Sequence, residues 1–324
     1  MLKNIDVLKY LMSILVVMIH AGYSYEIPFL RVAVPVFFIL SSYLFFSRLP
    51  EDDGMVREAL MKFLKRASML YLFWFVVLLP TTFIIRDWYR LGVGEIIEKI
   101  ILGVLIRSTF PASWYISAYI IGIVITCMLR KHDRVLLTIG VITFMICCLT
   151  SNYYYLLAYV PYGDVLQKWT DNYEMYNSFP MGLLYIYMGM KLKGWLDSGL
   201  GTITFMLVVG IVLLYMENGL IQYFGFGRAD DAYFSLSVLA PAMVMMALKL
   251  PSIDIREEFA VNLRKMSTIY YCSHLTLLMA LRSVMGGLEK YQYLIIVLII
   301  CTIESFLIIK AQKNRVFSWL KYSY

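Results

Sequence analysis

The sequence is poor in charge and lacks the signatures of several enzyme classes. Only 16% of its residues are charged, whereas about a quarter are charged in a typical soluble domain. It contains no Walker loop, GxSxG elbow, HExxH or CxxC sequence, so nucleotide hydrolysis and zinc chemistry lack support. The five cysteines show no metal-ligand spacing. Neither a metal site nor a disulfide framework is therefore expected.

Apolar residues are in excess instead. They make up 61% of the 324 residues, the mean hydropathy is +0.72, and they fall into successive runs of bilayer length. These runs predict an all-α polytopic membrane protein with about ten transmembrane helices, which form a single membrane domain over residues 1–324. The predicted helices are Ile5–Tyr23, Val32–Phe46, Ala67–Ile85, Ser113–Leu129, Val135–Thr150, Phe179–Lys191, Leu200–Met216, Ala232–Leu248, Ser267–Met285 and Tyr291–Ile309.

Basic residues are divided unevenly between the loops. Most of the 29 lysine and arginine residues lie in loops on the side of the amino terminus. Because loops rich in lysine and arginine stay in the cytoplasm, both termini are predicted to be cytoplasmic. This asymmetry explains the net charge of +7, and no nucleic-acid partner is needed to account for it.

Two ionisable residues interrupt the first apolar run. Lys9 and His20 are eleven residues apart, which is close to three helical turns. They are therefore expected within ~20° of one helix face and roughly 16 Å apart along the axis. Ionisable groups inside a span are costly and usually line an enclosed pathway or site. We expect Lys9 near the cytoplasmic end of such a pathway and His20 near its external end.

Other polar residues are assigned to two layers by their places in the predicted helices. Arg31 opens the second helix from outside and is expected in the outer layer with His20. His274 and Glu304 fall in the inner halves of the ninth and tenth helices and are expected in the inner layer with Lys9. A histidine and a glutamate there could form a proton relay or a satisfied buried pair.

Four segments of the sequence form a set. They are Lys9 and His20 with ten residues between them, Pro35-Val36-Phe37-Phe38-Ile39-Leu40-Ser41, Ser113-Trp114-Tyr115, and Ser267-Thr268-Ile269-Tyr270 leading to His274. Together they resemble the acyltransferase family 3 membrane proteins, which open with a basic residue, ten residues and a histidine, then a Pro-x-Phe-Phe-x-x-Ser-Gly helix. Taken singly, Ser41 could merely bond to its own helix backbone, and Trp114 and Tyr115 could merely be interface anchors.

The sequence departs from the family pattern at two places. Lys9 replaces the usual arginine, which keeps the charge but loses the planar fork suited to phosphate. Ser42 replaces the glycine after the helix-two serine, which puts close backbone packing there in doubt. A Phe29-Leu30-Arg31-Val32-Ala33-Val34-Pro35 segment also resembles the membrane halves of vancomycin-resistance serine racemases. Those halves are associated with serine uptake, so a transporter of a small polar solute such as L-serine is the alternative function.

The family resemblance implies an O-acyltransferase of the bacterial cytoplasmic membrane. Such an enzyme moves an acyl group, most often acetyl, from cytoplasmic acyl-CoA to a hydroxyl of an envelope glycan or lipid-linked sugar, with no permanently bound cofactor. His20 would be the general base. The other candidate binding residues are Lys9, Arg31, Ser41, Trp114, Tyr115, His274 and Glu304. The oligomeric state is left open by the sequence.

Overall fold

A computed structural model describes residues 3–105, 108–172 and 175–324. Within these ranges the chain forms twelve α-helices joined by short 3-10 turns and loops, and no strand. The helices are α1 Lys3–Met18, α2 Ala33–Phe46, α3 Asp53–Ile85, α4 Val93–Leu105, α5 Trp114–Leu129, α6 Asp133–Thr150, α7 Gly163–Asn172, α8 Phe179–Trp195, α9 Leu200–Phe224, α10 Leu236–Lys249, α11 Glu257–Val284 and α12 Lys290–Ala311.

Several of these helices match the requirements of a membrane span. In the part of the chain that the structure covers, six are long and apolar enough to cross a bilayer, namely Lys3–Tyr23, Pro28–Phe46, Asp53–Ile85, Asp133–Thr150, Leu200–Phe224 and Lys290–Ala311. Trp114–Leu129 and Leu236–Lys249 are shorter apolar helices. The predicted all-helical, multi-pass membrane architecture is thus confirmed. The count of ten spans and the cytoplasmic placement of the termini stay predictions.

The core of the bundle is built around α2. Val36, Phe38 and Ile39 on this helix are fully buried, and α2 packs against α1, α8 and α10. Its approach to α8 depends on glycine: a methyl group at Gly189 would lie 2.4 Å from the carbonyl oxygen of Ile39 and 2.6 Å from Cβ of Ser42. The close packing that Ser42 put in doubt is therefore retained, because the glycine is on the facing helix.

Helices α1 and α11 lie side by side and run parallel. Tyr10 and Tyr270 meet edge to face with ring centroids 5.5 Å apart, and Asp6 lies 3.7 Å from Arg264. The contacts advance together along both helices, so residues later in α1 lie beside residues later in α11. This pairing sets the geometry of the candidate site.

Two helices begin earlier than the sequence predicted. α3 begins at Asp53 rather than at Ala67, and α11 begins at Glu257 rather than at Ser267. Hydropathy marks only the apolar part of a helix, whereas the backbone continues its hydrogen bonding into the polar sequence before it. The consequence for α11 is that His274 lies almost five turns from the helix start.

Candidate active site

Two histidines meet where α1 becomes irregular. After Met18 the chain makes a π-helical turn, Ile19–Tyr23, in which Gly22 has a φ of 103°, a conformation that glycine adopts without steric cost. The half-buried ring of His20 lies in this turn, and its centroid is 5.1 Å from that of His274 on α11. Single π turns of this kind are frequent at functional sites.

The backbone of α11 fixes the tautomer of His274. Its Nδ1 lies 2.9 Å from the carbonyl oxygen of Tyr270 and 2.8 Å from that of Tyr271. A carbonyl oxygen only accepts hydrogen bonds, so Nδ1 carries a proton and donates it. In the neutral ring Nε2 is then an acceptor, and it is buried with no hydrogen-bond partner among the residues described. His20 therefore has an imidazole with an unengaged lone pair as its neighbour.

The predicted inner layer is wrong for His274. The sequence analysis grouped this residue with Lys9 and Glu304, but the structure places it against His20. The error arose because the helix was predicted to begin at Ser267, where its apolar run begins, whereas α11 begins ten residues earlier at Glu257. His274 is therefore farther from the start of the helix than predicted. The outer layer therefore contains two imidazoles.

Glu304 is not the partner of His274. The glutamate is half-buried on α12, and its Oε2 is buried without a partner among the described residues. The Nδ1 of His274 is committed to backbone carbonyls instead. The alternative of a satisfied His274–Glu304 pair is therefore wrong, because Nε2 of His274 and Oε2 of Glu304 are both without a partner among the described residues.

A cavity of about 980 Å³ lies at the amino-terminal side of the bundle, the predicted cytoplasmic side. Its wall carries many basic side chains and, within the ranges that the structure describes, a single acidic side chain, that of Asp6. The cationic lining residues are Lys9, Arg48, Arg66, Arg264, Lys265 and Lys321. A concave surface lined by one sign of charge concentrates ligands of the opposite sign. This cavity is suited to a polyanion.

Lys9 lines this cavity, as its place on the inner part of α1 suggested. His20 and His274 do not line it. Tyr271 joins the two regions, because it borders the cavity and its ring centroid is 6.1 Å from that of His274. Its hydroxyl donates to the carbonyl oxygen of Ala112 at 2.8 Å, which holds the ring in place. One aromatic layer thus separates the cavity from the histidine pair.

Ser41 and Tyr115 belong to the same aromatic layer. Both residues line the cavity, and their hydroxyl oxygens are 3.5 Å apart. The ring of Tyr115 meets that of Tyr271 at a centroid distance of 5.3 Å. The layer therefore presents hydroxyl groups as hydrogen-bond donors next to the route toward His274. Trp114, by contrast, packs on Phe38 with centroids 6.3 Å apart and does not line the cavity.

Arg31 is held by two carboxylates that the sequence analysis did not identify. Its Nη2 pairs with Asp230, its Nε lies 3.3 Å from the second oxygen of that carboxylate, and its Nη1 lies 2.5 Å from Asp231. Bidentate pairing of this kind is strong and directional. The available signal was the Asp-Asp pair in a loop on the predicted external side, together with an arginine at the predicted outer end of a helix.

Arg282 supports the backbone next to the histidine pair. Its Nη2 donates to the backbone carbonyl oxygen of His20 at 3.1 Å, and its guanidinium lies over the ring of Tyr293, 5.7 Å from the centroid. Backbone groups in an irregular turn lose regular helical partners and need others. Arg282 therefore stabilises the turn that presents His20.

Comparison with known families gives one match along nearly the whole chain. The model of acyltransferase family 3, described as an acyltransferase domain, matches residues 2–310. Comparison with curated proteins and with solved structures gives no significant match. The matched range includes the histidine pair and most of the cavity wall, and it ends before the last 3-10 helix of the chain, Arg315–Ser323.

Proposed function

The chain belongs to acyltransferase family 3, and from this premise we propose that it is a membrane O-acyltransferase. It moves an acyl group, in the first instance acetyl, from cytoplasmic acyl-CoA to a hydroxyl of a cell-envelope or extracellular glycan. The observation that carries the proposal is a basic cavity and a histidine pair joined by one residue, Tyr271.

The donor side of the proposal rests on charge. Coenzyme A carries several phosphate charges, and phosphates bind lysine and arginine strongly. The cavity supplies six such side chains against the single acidic side chain of Asp6 within the described ranges. Lys9 and Arg66 come from α1 and α3, so the first helices of the bundle contribute directly to the donor site. The acyl group then points toward the layer formed by Tyr115 and Tyr271.

The transfer step uses His20 as the general base. His20 removes the proton of the acceptor hydroxyl while the hydroxyl oxygen forms a bond to the thioester carbonyl carbon. The carbon–sulfur bond then breaks, and the proton passes from His20 to the departing CoA thiolate. We assign to the unpaired Nε2 atom of His274 the role of accepting a hydrogen bond from the His20 ring during the reaction, which orients the base as a partner group does.

Negative charge develops on the thioester carbonyl oxygen during the attack, and a hydrogen-bond donor is needed to stabilise it. Arg31 already pairs with Asp230 and Asp231, so its guanidinium is committed. Ser41 and Tyr115 border the cavity with neutral hydroxyl groups, and we assign the oxyanion contact to this pair. The acceptor approaches from the opposite, external side, where a glycan or lipid-linked sugar is available in the cell membrane.

The test compares the two functions that the sequence left open. Purified protein in lipid nanodiscs is incubated with radiolabelled acetyl-CoA and a mixture of envelope oligosaccharides, and proteoliposomes are tested separately for uptake of radiolabelled L-serine. Acyl transfer predicts alkali-labile label on the sugars and no serine accumulation above empty liposomes. Serine uptake without any sugar labelling would contradict the proposal and favour the transporter.

A further inference from the structure

The last helical segment of the chain forms part of the bundle wall. Asn314 caps this 3-10 helix by accepting from the backbone N–H of Val316 at 3.0 Å. The indole N–H of Trp74 on α3 donates to the carbonyl oxygen of Ser323 at 3.0 Å, and both of these residues are buried. The segment is therefore fixed against α3 by a buried hydrogen bond rather than lying free on the surface.

This segment contributes side chains to the basic cavity. Lys321, Tyr322 and Tyr324 line it, and Nζ of Lys265 lies 4.8 Å from the centroid of the Tyr324 ring. The hydroxyl oxygen of Tyr324 is buried without a partner among the described residues. Burial raises the pKa of this phenol, so it stays protonated near neutral pH and retains its hydrogen for donation.

The carboxy-terminal segment contacts α11 at a point away from the reacting centre. Lys265 precedes Tyr271 by six residues, which corresponds to about 9 Å along the helix axis. Tyr271 contacts His274, whereas Lys265 contacts Tyr324. The cavity therefore has a reactive end near the histidines and a second end where cations and phenol rings are combined.

We propose that Lys265, Lys321 and Tyr324 bind the nucleotide end of acyl-CoA, its 3′-phosphoadenosine. The inference rests on the proposed function and adds a recognition element in which Lys321 and Tyr324 lie beyond the matched residues 2–310. Acyl-CoA is long and has its thioester and its nucleotide at opposite ends, so a thioester placed at Tyr271 directs the nucleotide away from the histidines. Lysines bind phosphate as point charges, and tyrosine rings stack on nucleobases.

The experiment measures binding rather than catalysis. Isothermal titration calorimetry on the purified protein in nanodiscs compares CoA, 3′-dephospho-CoA and 4′-phosphopantetheine, for the wild type and for Lys265→Ala, Lys321→Ala and Tyr324→Ala. The wild type is expected to bind CoA roughly tenfold more tightly than 3′-dephospho-CoA, and each lysine variant is expected to reduce that ratio toward one. Tyr324→Ala is expected to weaken CoA and 3′-dephospho-CoA roughly tenfold and leave 4′-phosphopantetheine unchanged.

Lys310→Ala is the matched control, because Lys310 is a cation near the same end of the chain that does not line the cavity. Lys321→Arg keeps the charge, and Tyr324→Phe keeps the ring without the hydroxyl. Wild-type binding of 4′-phosphopantetheine by a variant shows that its loss of CoA affinity is not unfolding. Normal CoA binding in all the alanine variants would overturn the inference and leave the proposed function intact. A wild type that does not bind CoA at all would overturn both.

Discussion

Replacing His20 with alanine is expected to lower the turnover of acyl transfer by roughly 10²–10⁴-fold, which is the usual contribution of a general base. The ring of His20 lies 5.1 Å, centroid to centroid, from that of His274, whose Nε2 has no partner among the described residues. Its loss leaves the acceptor hydroxyl protonated as it attacks. The measurement is the rate of acetyl transfer by purified protein at saturating acetyl-CoA.

His132→Ala is the matched control for this prediction. His132 is exposed in the loop before α6, far in sequence from both members of the pair, and its replacement is expected to leave the turnover unchanged. CoA binding by His20→Ala is expected to equal that of the wild type, because His20 does not line the cavity. A His20→Ala enzyme with near wild-type turnover would remove the general-base role.

Replacing Lys9 with methionine is expected to raise the KM for acetyl-CoA by roughly tenfold or more. Lys9 is half-buried in the cavity wall, and a hydrogen bond to a charged group contributes about 1.5–3 kcal/mol, where each 1.4 kcal/mol is a factor of ten. The turnover at saturation is expected to change little, because Lys9 is distant from the reacting atoms. Initial rates over a range of acetyl-CoA concentrations measure both quantities.

One further variant tests the shape of the cation at position 9, and a second serves as the matched control. Lys9→Arg restores the residue that the family usually has. It is expected to keep or lower the KM, because a guanidinium group can bind a phosphate through two hydrogen bonds at once. Lys62→Met removes an exposed cation that pairs with Glu58 on α3 outside the cavity, and it is expected to leave the KM unchanged. A Lys9→Met enzyme with normal KM would place the donor phosphates elsewhere.

The sequence predicted the helices more reliably than their ends. Each of the ten predicted spans coincides with or overlaps a helix of the structure, because apolar runs of bilayer length have one stable backbone arrangement in lipid. The polar starts of α3 and α11 were missed, since hydropathy carries no information about a helix beyond the membrane. That one error displaced His274 from the correct layer.

Long-range pairings were the other limit of the sequence. Arg31 and Asp230 are 199 residues apart, and no local pattern joins them. The same holds for Gly189, which compensates for Ser42 from the facing helix. In contrast, the placement of Lys9 in a cavity wall agrees with its type and position in the sequence, because an ionisable group in a span needs polar surroundings.

The measurement that tests the central claim most directly is alkali-releasable acetate on the envelope glycans of whole cells. Cells expressing the wild type, His20→Ala or His274→Ala are compared at equal membrane abundance with cells carrying an empty vector. We expect ester with the wild type, none above background with His20→Ala and a reduced amount with His274→Ala. Equal ester in the wild-type and His20→Ala cells, or none above the empty vector in any of them, would contradict the account of acyl transfer at the histidine pair.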